Sequence, residues 1–303
     1  MRIVYMGNNI RGARCLQVIL AEGEEVVGIV AHPEPLHENP EESVKQIALD
    51  QGLPLFQPRR INSSKSRAWI DQLCPDLIIL AGYNQILQRD IIDIPSLGCI
   101  NLHGGKLPEY RGVAPINWQL INGETKGGCA ILYVDEGIDT GDIIAQQYYD
   151  ITLEDDASTL IQKTLKIYPP MLLKVLRSIE DGSVKRVRQN PMEGCYYTRR
   201  FSRDGQIKWG EMSAVQVFDL VRALVPPYPG AFTHLDGRKV VVHKTKLLDE
   251  TIRGIAGRIA SFRDDHAVVL AADRGILVES IIDETGRTVT AKQTFKRIGI
   301  DLV

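Results

Sequence analysis

Apolar and polar positions follow two textures along this chain of 303 residues. In the first, short apolar runs alternate with helical spacing. Residues 2–6 form a β-rich run ending at Gly7, and residues 11–22 set Ala13, Leu16, Val18, Ile19 and Leu20 at helical intervals. Further strands are expected over 25–31 and 76–81, a short extended segment over 53–57, and helical turns over 40–51 and 64–73. The run 76–81 is almost wholly apolar, as in a strand covered on both faces. Strands alternating with helices are βαβ units, and their right-handed crossovers give an open, mostly parallel, Rossmann-like α/β sheet. Ligands on such sheets lie at the carboxyl ends of the strands. A long helix is expected over 156–180, kinked or broken at Pro169-Pro170.

The second texture begins near Gly182. A basic, irregular stretch precedes one clear helix over 213–224, which ends at Pro226-Pro227-Tyr228-Pro229-Gly230. Short alternating runs with glycine turns follow over 231–234, 240–242, 257–261, 267–271 and 276–281, the pattern of a small barrel or sandwich. The division expected is an α/β domain over 1–205 and a smaller β-barrel-like, OB-like domain over 206–303.

Composition narrows the class. Hydrophobic residues make up 44% and charged residues 24%, so collagen, disordered and coiled-coil readings fall away. The net charge of -2 implies no chain-wide attraction to nucleic acid or anionic lipid. No apolar run reaches the roughly 18 residues a membrane span needs, and the start reads as a strand rather than a signal peptide. Five scattered cysteines without a Cys-x-x-Cys pair favour buried thiols in a reducing cytoplasm over disulfides or zinc.

The densest chemistry is Asn101-Leu102-His103-Gly104-Gly105-Lys106. Asn101 and His103 stand two apart at the end of a predicted strand, so both point to one side. An imidazole that moves a proton beside an amide N–H that meets an oxyanion suits acyl transfer. A core histidine beside a turn-capping asparagine would leave the same pattern. Downstream, Asp135-Glu136-Gly137-Ile138-Asp139-Thr140-Gly141-Asp142 gathers four carboxylates in a turn. One could orient His103, although a solvated acidic turn looks alike. The spacing lacks an EF-hand's distal glutamate, and no metal is expected.

Together the stretch Asn-Leu-His-Gly-Gly-Lys-Leu-Pro-Glu-Tyr-Arg-Gly-Val-Ala-Pro-Ile-Asn-Trp, Asn122-Gly123-Glu124-Thr125, Gly137-Ile138-Asp139-Thr140-Gly141-Asp142 and the later Pro226-Pro227-Tyr228-Pro229-Gly230 resemble the 10-formyltetrahydrofolate-dependent formyltransferases over nearly the whole chain. The resemblance implies a catalytic trio of Asn101, His103 and Asp139. It implies folate-pocket segments at Gln85, Ile86 and Leu87 and at Asp135, Glu136, Gly137 and Ile138, with 10-formyltetrahydrofolate as cosubstrate.

The acceptor divides this family. Members acting on methionyl-tRNA resemble one another in a basic insertion after the second strand, but residues 32–42 here are acidic, the wrong sign for phosphate contacts. The turn Gly104-Gly105-Lys106 replaces a Ser-Leu-Leu run, and Lys106 suits a diphosphate. Asn8 and Asn9, in the loop between the first strand and helix, suit a polar ligand. The expectation is a cytoplasmic enzyme that formylates a nucleotide-linked amino-deoxy sugar for surface polysaccharide or lipopolysaccharide synthesis, with no nucleic-acid or membrane partner. Methionyl-tRNA formyltransferase and formyltetrahydrofolate hydrolase remain as alternatives, a homodimer stays possible, and the lack of any turnover would indicate an idle binding module.

Overall fold

A computed structural model describes residues 1–33 and 43–303; the acidic segment 34–42, used above to argue against tRNA, lies outside the described residues. The chain divides into two compact units. The first comprises Met1–Gly112, Gly127–Tyr149 and Gln162–Tyr197; the second comprises Val113–Lys126, Asp150–Ile161 and Thr198–Val303.

The first unit is built on a seven-stranded sheet in the order β3-β2-β1-β4-β5-β7-β8. Its strands are β1 (Arg2–Gly7), β2 (Glu25–Val30), β3 (Leu55–Phe56), β4 (Leu77–Ala81), β5 (Cys99–His103), β7 (Lys126–Tyr133) and β8 (Ile143–Asp150). β1 to β5 run parallel, and β7 returns antiparallel to β5. The apolar runs split by parity between two cores. Ile3, Tyr5, Leu77, Ile79 and Ile100 enter one, while Val4, Met6, Ile78, Leu80 and Cys99 enter the other. A pleated strand points successive side chains to opposite faces, so continuous apolarity means cover on both sides.

Helices α1 (Asn9–Ala21), α2 (Val44–Asp50), α3 (Ser64–Gln72) and α4 (Arg89–Ile92) fill the connections. Ser43 and Ser63 cap α2 and α3 by accepting from the N–H groups of Gln46 and Ser66. A short strand β6 (Tyr110–Gly112) pairs in parallel with β9 (Cys195–Tyr197), which no sequence period announces. The long helix α6 (Ala157–Glu180) carries Pro169 and Pro170 inside one continuous element, without the break held open above.

In the second unit, α5 (Pro115–Ile121) contacts α7 (Ala214–Ala223). Ser213 and Gln216 close a reciprocal cap at the start of α7. An antiparallel sheet follows in the order β10-β11-β14-β13-β12, made from β10 (Ala231–Leu235), β11 (Arg238–Leu247), β12 (Ile259–Arg263), β13 (His266–Leu270) and β14 (Gly275–Ile282). β15 (Thr288–Thr290) adds to β14, and α8 (Ala291–Phe295) follows. Asp236 and Gly237, both at positive φ, make the tight β10–β11 turn. The architecture is therefore the α/β, mostly parallel sheet expected, with a C-terminal antiparallel sheet domain. Among the described residues, no helix is long and apolar enough to cross a membrane.

Candidate active site

Asn101 and His103 lie at the carboxyl end of β5, in register with Leu132 and Ala130 of β7. The Asp139 carboxylate meets both. Its Oδ1 accepts from Asn101 Nδ2 at 3.2 Å, and its Oδ2 lies 3.3 Å from His103 Nδ1. Oδ2 also accepts from the Gly112 backbone N–H at 2.9 Å. The His103 side chain is 5% exposed and that of Asp139 12%, so little water competes for these contacts. His103 Nε2 sits 2.5 Å from the Tyr110 carbonyl, which can only accept, so this nitrogen carries a hydrogen. The other nitrogen then faces the Asp139 carboxylate. Asp139 occupies the left-handed region at φ 53, less favourable than ordinary backbone, although Asp and Asn enter it more readily than other side chains. A carboxylate, an amide and an imidazole, held together in this way, can steady a developing oxyanion and relay a proton.

Other expected positions are placed differently. Gln85 turns its side chain inward, accepting from Ile61 N at 2.9 Å and donating to Pro58 O at 3.3 Å. Leu87 is buried in a core cluster, whereas Ile86 is exposed. Asp135 Oδ1 accepts from Gly137 N at 3.0 Å and Thr140 Oγ1 at 2.6 Å, which shapes the turn leading to Asp139. Glu136 and Ile138 are exposed, and Arg89 at the start of α4 lies 3.6 Å from Glu136. That contact brings the loop after residues 85–87 beside the 135–139 turn. Among the side chains of these segments, Ile86 and Ile138 are the exposed apolar ones.

Asn8 precedes α1 without a side-chain capping bond. Asn9, at φ 58, accepts from Arg11 N at 3.1 Å. A Cβ at Gly82, after β4, would lie 2.5 Å from Asn9 Nδ2, so this loop abuts the end of β4. Lys106 is half-buried, its Nζ 5.6 Å from the Tyr110 ring centre. The two backbone contacts on the trio, Tyr110 O and Gly112 N, were outside the expected site. Only the glycine in the Arg-Gly step signalled them. Among the described residues, no group of three or more His, Cys, Asp and Glu could hold a metal.

Comparison with known proteins decides the family. Residues 21–176 match the formyl transferase family and residues 201–299 match its C-terminal domain. The chain belongs to the formyltransferase family. It is a formyl-transferring enzyme, similar at 37% identity over 288 residues to the methionyl-tRNA formyltransferase of Clostridioides difficile strain 630, with 93% of this chain and 92% of that protein covered. The methionyl-tRNA formyltransferase of Alkaliphilus oremlandii strain OhILAs is 32% identical, with 93% and 91% covered. Among solved structures, this formyltransferase is similar to the N-formyltransferase from Helicobacter canadensis in complex with folinic acid and dTDP-3-aminofucose. The TM-score is 0.71 at 17% identity, covering 92% of this chain and 98% of the other, a likeness of fold.

Proposed function

We propose that this formyltransferase moves the formyl group of 10-formyltetrahydrofolate to the amine of a nucleotide-linked amino-deoxy sugar, in the cytoplasm, for surface polysaccharide or lipopolysaccharide assembly. The observation that carries the chemistry is the single carboxylate of Asp139 shared by Asn101 and His103. The folate supplies the activated formyl carbon. As the amine nitrogen bonds to that carbon, Asn101 Nδ2 donates to the oxygen that becomes an oxyanion. The His103–Asp139 pair takes the amine proton at Nδ1, since Nε2 already donates to the Tyr110 carbonyl, and returns it to the departing folate nitrogen, so charge balances as the old C–N bond breaks. Backbone at 85–87 and 135–138 receives the folate, while Asn8, Asn9 and Lys106 face the acceptor. Residues 1–205 supply these groups, and 206–303 form the second domain of this proposal.

The sugar reading of the acceptor rests on the glycine-glycine-lysine turn directly after His103, which offers one point charge for a diphosphate. The name dTDP-3-aminofucose in the Helicobacter canadensis complex supports it. The second reading, methionyl-tRNA formyltransferase, is favoured by relatives of that name at 32% and 37% identity. One experiment separates them. The protein is incubated with 10-formyltetrahydrofolate and a panel of dTDP-, UDP- and GDP-linked amino sugars, with methionyl-tRNA in parallel. A sugar gaining one formyl group by mass, with tRNA unchanged, is the expected result. Formylation of methionyl-tRNA alone overturns it, and formate release without any amine indicates a hydrolase.

A further inference from the structure

At the main chain of Asp139 lies a network that the family comparison does not assign. The Gln189 amide is buried. Its Nε2 donates to the Asp139 carbonyl at 2.9 Å and to the Gly141 carbonyl at 2.7 Å, while its Oε1 accepts from Arg111 Nε at 3.0 Å. The orientation of this amide is forced, because carbonyls only accept and a guanidinium only donates. Arg111 is 1% exposed, and its remaining bonds go to the carbonyls of Glu193 at 3.0 Å and Asn190 at 3.2 Å. Its guanidinium carbon lies 5.4 Å from the Tyr196 ring centre. A buried charge that spends its donors on neutral oxygens fixes geometry more than it gains Coulomb energy.

We infer that Gln189, locked by Arg111, is a positioning residue for formyl transfer. It holds the left-handed main chain at Asp139 so that one carboxylate reaches both Asn101 and His103. Two clamps act on that residue, one on its side chain and one on its main chain. Gly112 N–H holds Oδ2, Gln189 holds the carbonyl, and both anchors hang on the adjacent Arg111-Gly112 step of β6. Space for adjustment is small on this turn, since a Cβ at Gly141 would fall 1.9 Å from the Tyr133 carbonyl. Without Gln189, the Asp139 and Gly141 carbonyls lose this donor and the left-handed residue is free to move towards an ordinary backbone conformation. An ångström of movement is enough to spoil a catalytic constellation.

This inference rests on the assignment of Asp139 to the chemistry, and the test keeps the two apart. The full-length variants Gln189→Met, Asp139→Asn and the double variant are assayed with 10-formyltetrahydrofolate and whichever of a dTDP-linked 3-amino sugar or methionyl-tRNA is turned over. Gln189→Met is expected to lower kcat about 10- to 100-fold with KM within about threefold. In the double variant no further loss appears beyond Asp139→Asn, because both act through one group. A crystal structure of Gln189→Met, which needs no acceptor, should show Asp139 withdrawn from Asn101. If Gln189→Met does not fold, Gln189→Glu serves, since it keeps an acceptor for Arg111 and sets a carboxylate oxygen against the two carbonyls. Wild-type kcat, multiplying losses in the double variant, or an unmoved Asp139 would each overturn the positioning role. Full turnover by Asp139→Asn would instead take Asp139 out of the chemistry.

Discussion

At the scale of single residues, the trio makes a sharp prediction. Removing one oxyanion donor from a site of this kind costs about 10²–10³ in turnover, and a general acid–base group about 10²–10⁴. Asn101→Ala and His103→Ala should therefore each lower kcat by at least about 100-fold in single-turnover assays while thermal unfolding stays cooperative. Near-normal turnover in either would remove that residue from the mechanism. Burial gives a second prediction. Cys15, Cys99 and Cys129 are pushed up to about 12 by desolvation, chiefly because the apolar interior disfavours the thiolate, whereas Cys74 and Cys195 are exposed. A pKa near 12 leaves almost no thiolate at pH 8, and reaction requires the thiolate. A thiol reagent should modify Cys74 and Cys195 alone in the native protein and all five cysteines in denaturant. Rapid reaction of Cys15, Cys99 or Cys129 without unfolding would contradict the packing. Asn101 and His103 were legible in the sequence because a two-residue step in a strand sets two side chains on one face. Their contacts with Asp139 span 38 and 36 positions in sequence and were suggested by resemblance rather than by spacing. Arg111 and Gln189, 78 apart, carried no local signal at all.

At the scale of elements, legibility followed burial. β1, β2 and β4 showed as apolar runs because both faces of their sheet are covered, and α7 showed through Ser213 at its start and the prolines beyond its end. β6 and β9 did not show. Each has three residues, too short for any period, and they pair with each other across more than eighty positions. That pairing nevertheless sets the site, since Gly112 ends β6 and presents its N–H to Asp139. Gly112 sits at φ 96, and a Cβ there would lie 2.3 Å from the Tyr197 carbonyl of β9. Strain and clash point the same way. Gly112→Ala should part β6 from β9, cost roughly 1–3 kcal/mol of stability and reduce turnover more than the lost stability explains. A thermal melt within a degree of wild type together with unchanged kcat would show that the strand pair does not hold the site.

At the scale of the molecule, a boundary read from texture and a division read from contacts are different objects. The expected boundary falls at residue 205, yet the second compact unit also takes Val113–Lys126 and Asp150–Ile161 from the earlier sequence. Those excursions carry buried polar groups whose partners lie beyond 205. Asn117, 2% exposed, donates to the Ala223 carbonyl at 2.7 Å. Arg222 forms a buried pair with Asp219 and donates from Nη1 to the carbonyls of Thr152 at 2.9 Å and Asp155 at 3.1 Å. A chain ending at 205 would leave the Asn117 amide and the Thr152 and Asp155 carbonyls without these donors and acceptors, and α5 without its contact to α7. With the residues that cover them gone, these polar groups would be hydrated and the apolar contacts made with residues beyond 205 would be lost, against a net stability of only about 5–15 kcal/mol for a domain. The exposed face of α5 would add an apolar surface prone to association. A fragment of residues 1–205 should therefore aggregate or elute as a mixture on size exclusion, and should lack the sharp thermal transition of the full chain. A monomeric fragment that melts cooperatively near the full-length midpoint would mean that the segments 113–126 and 150–161 fold without the residues they contact here.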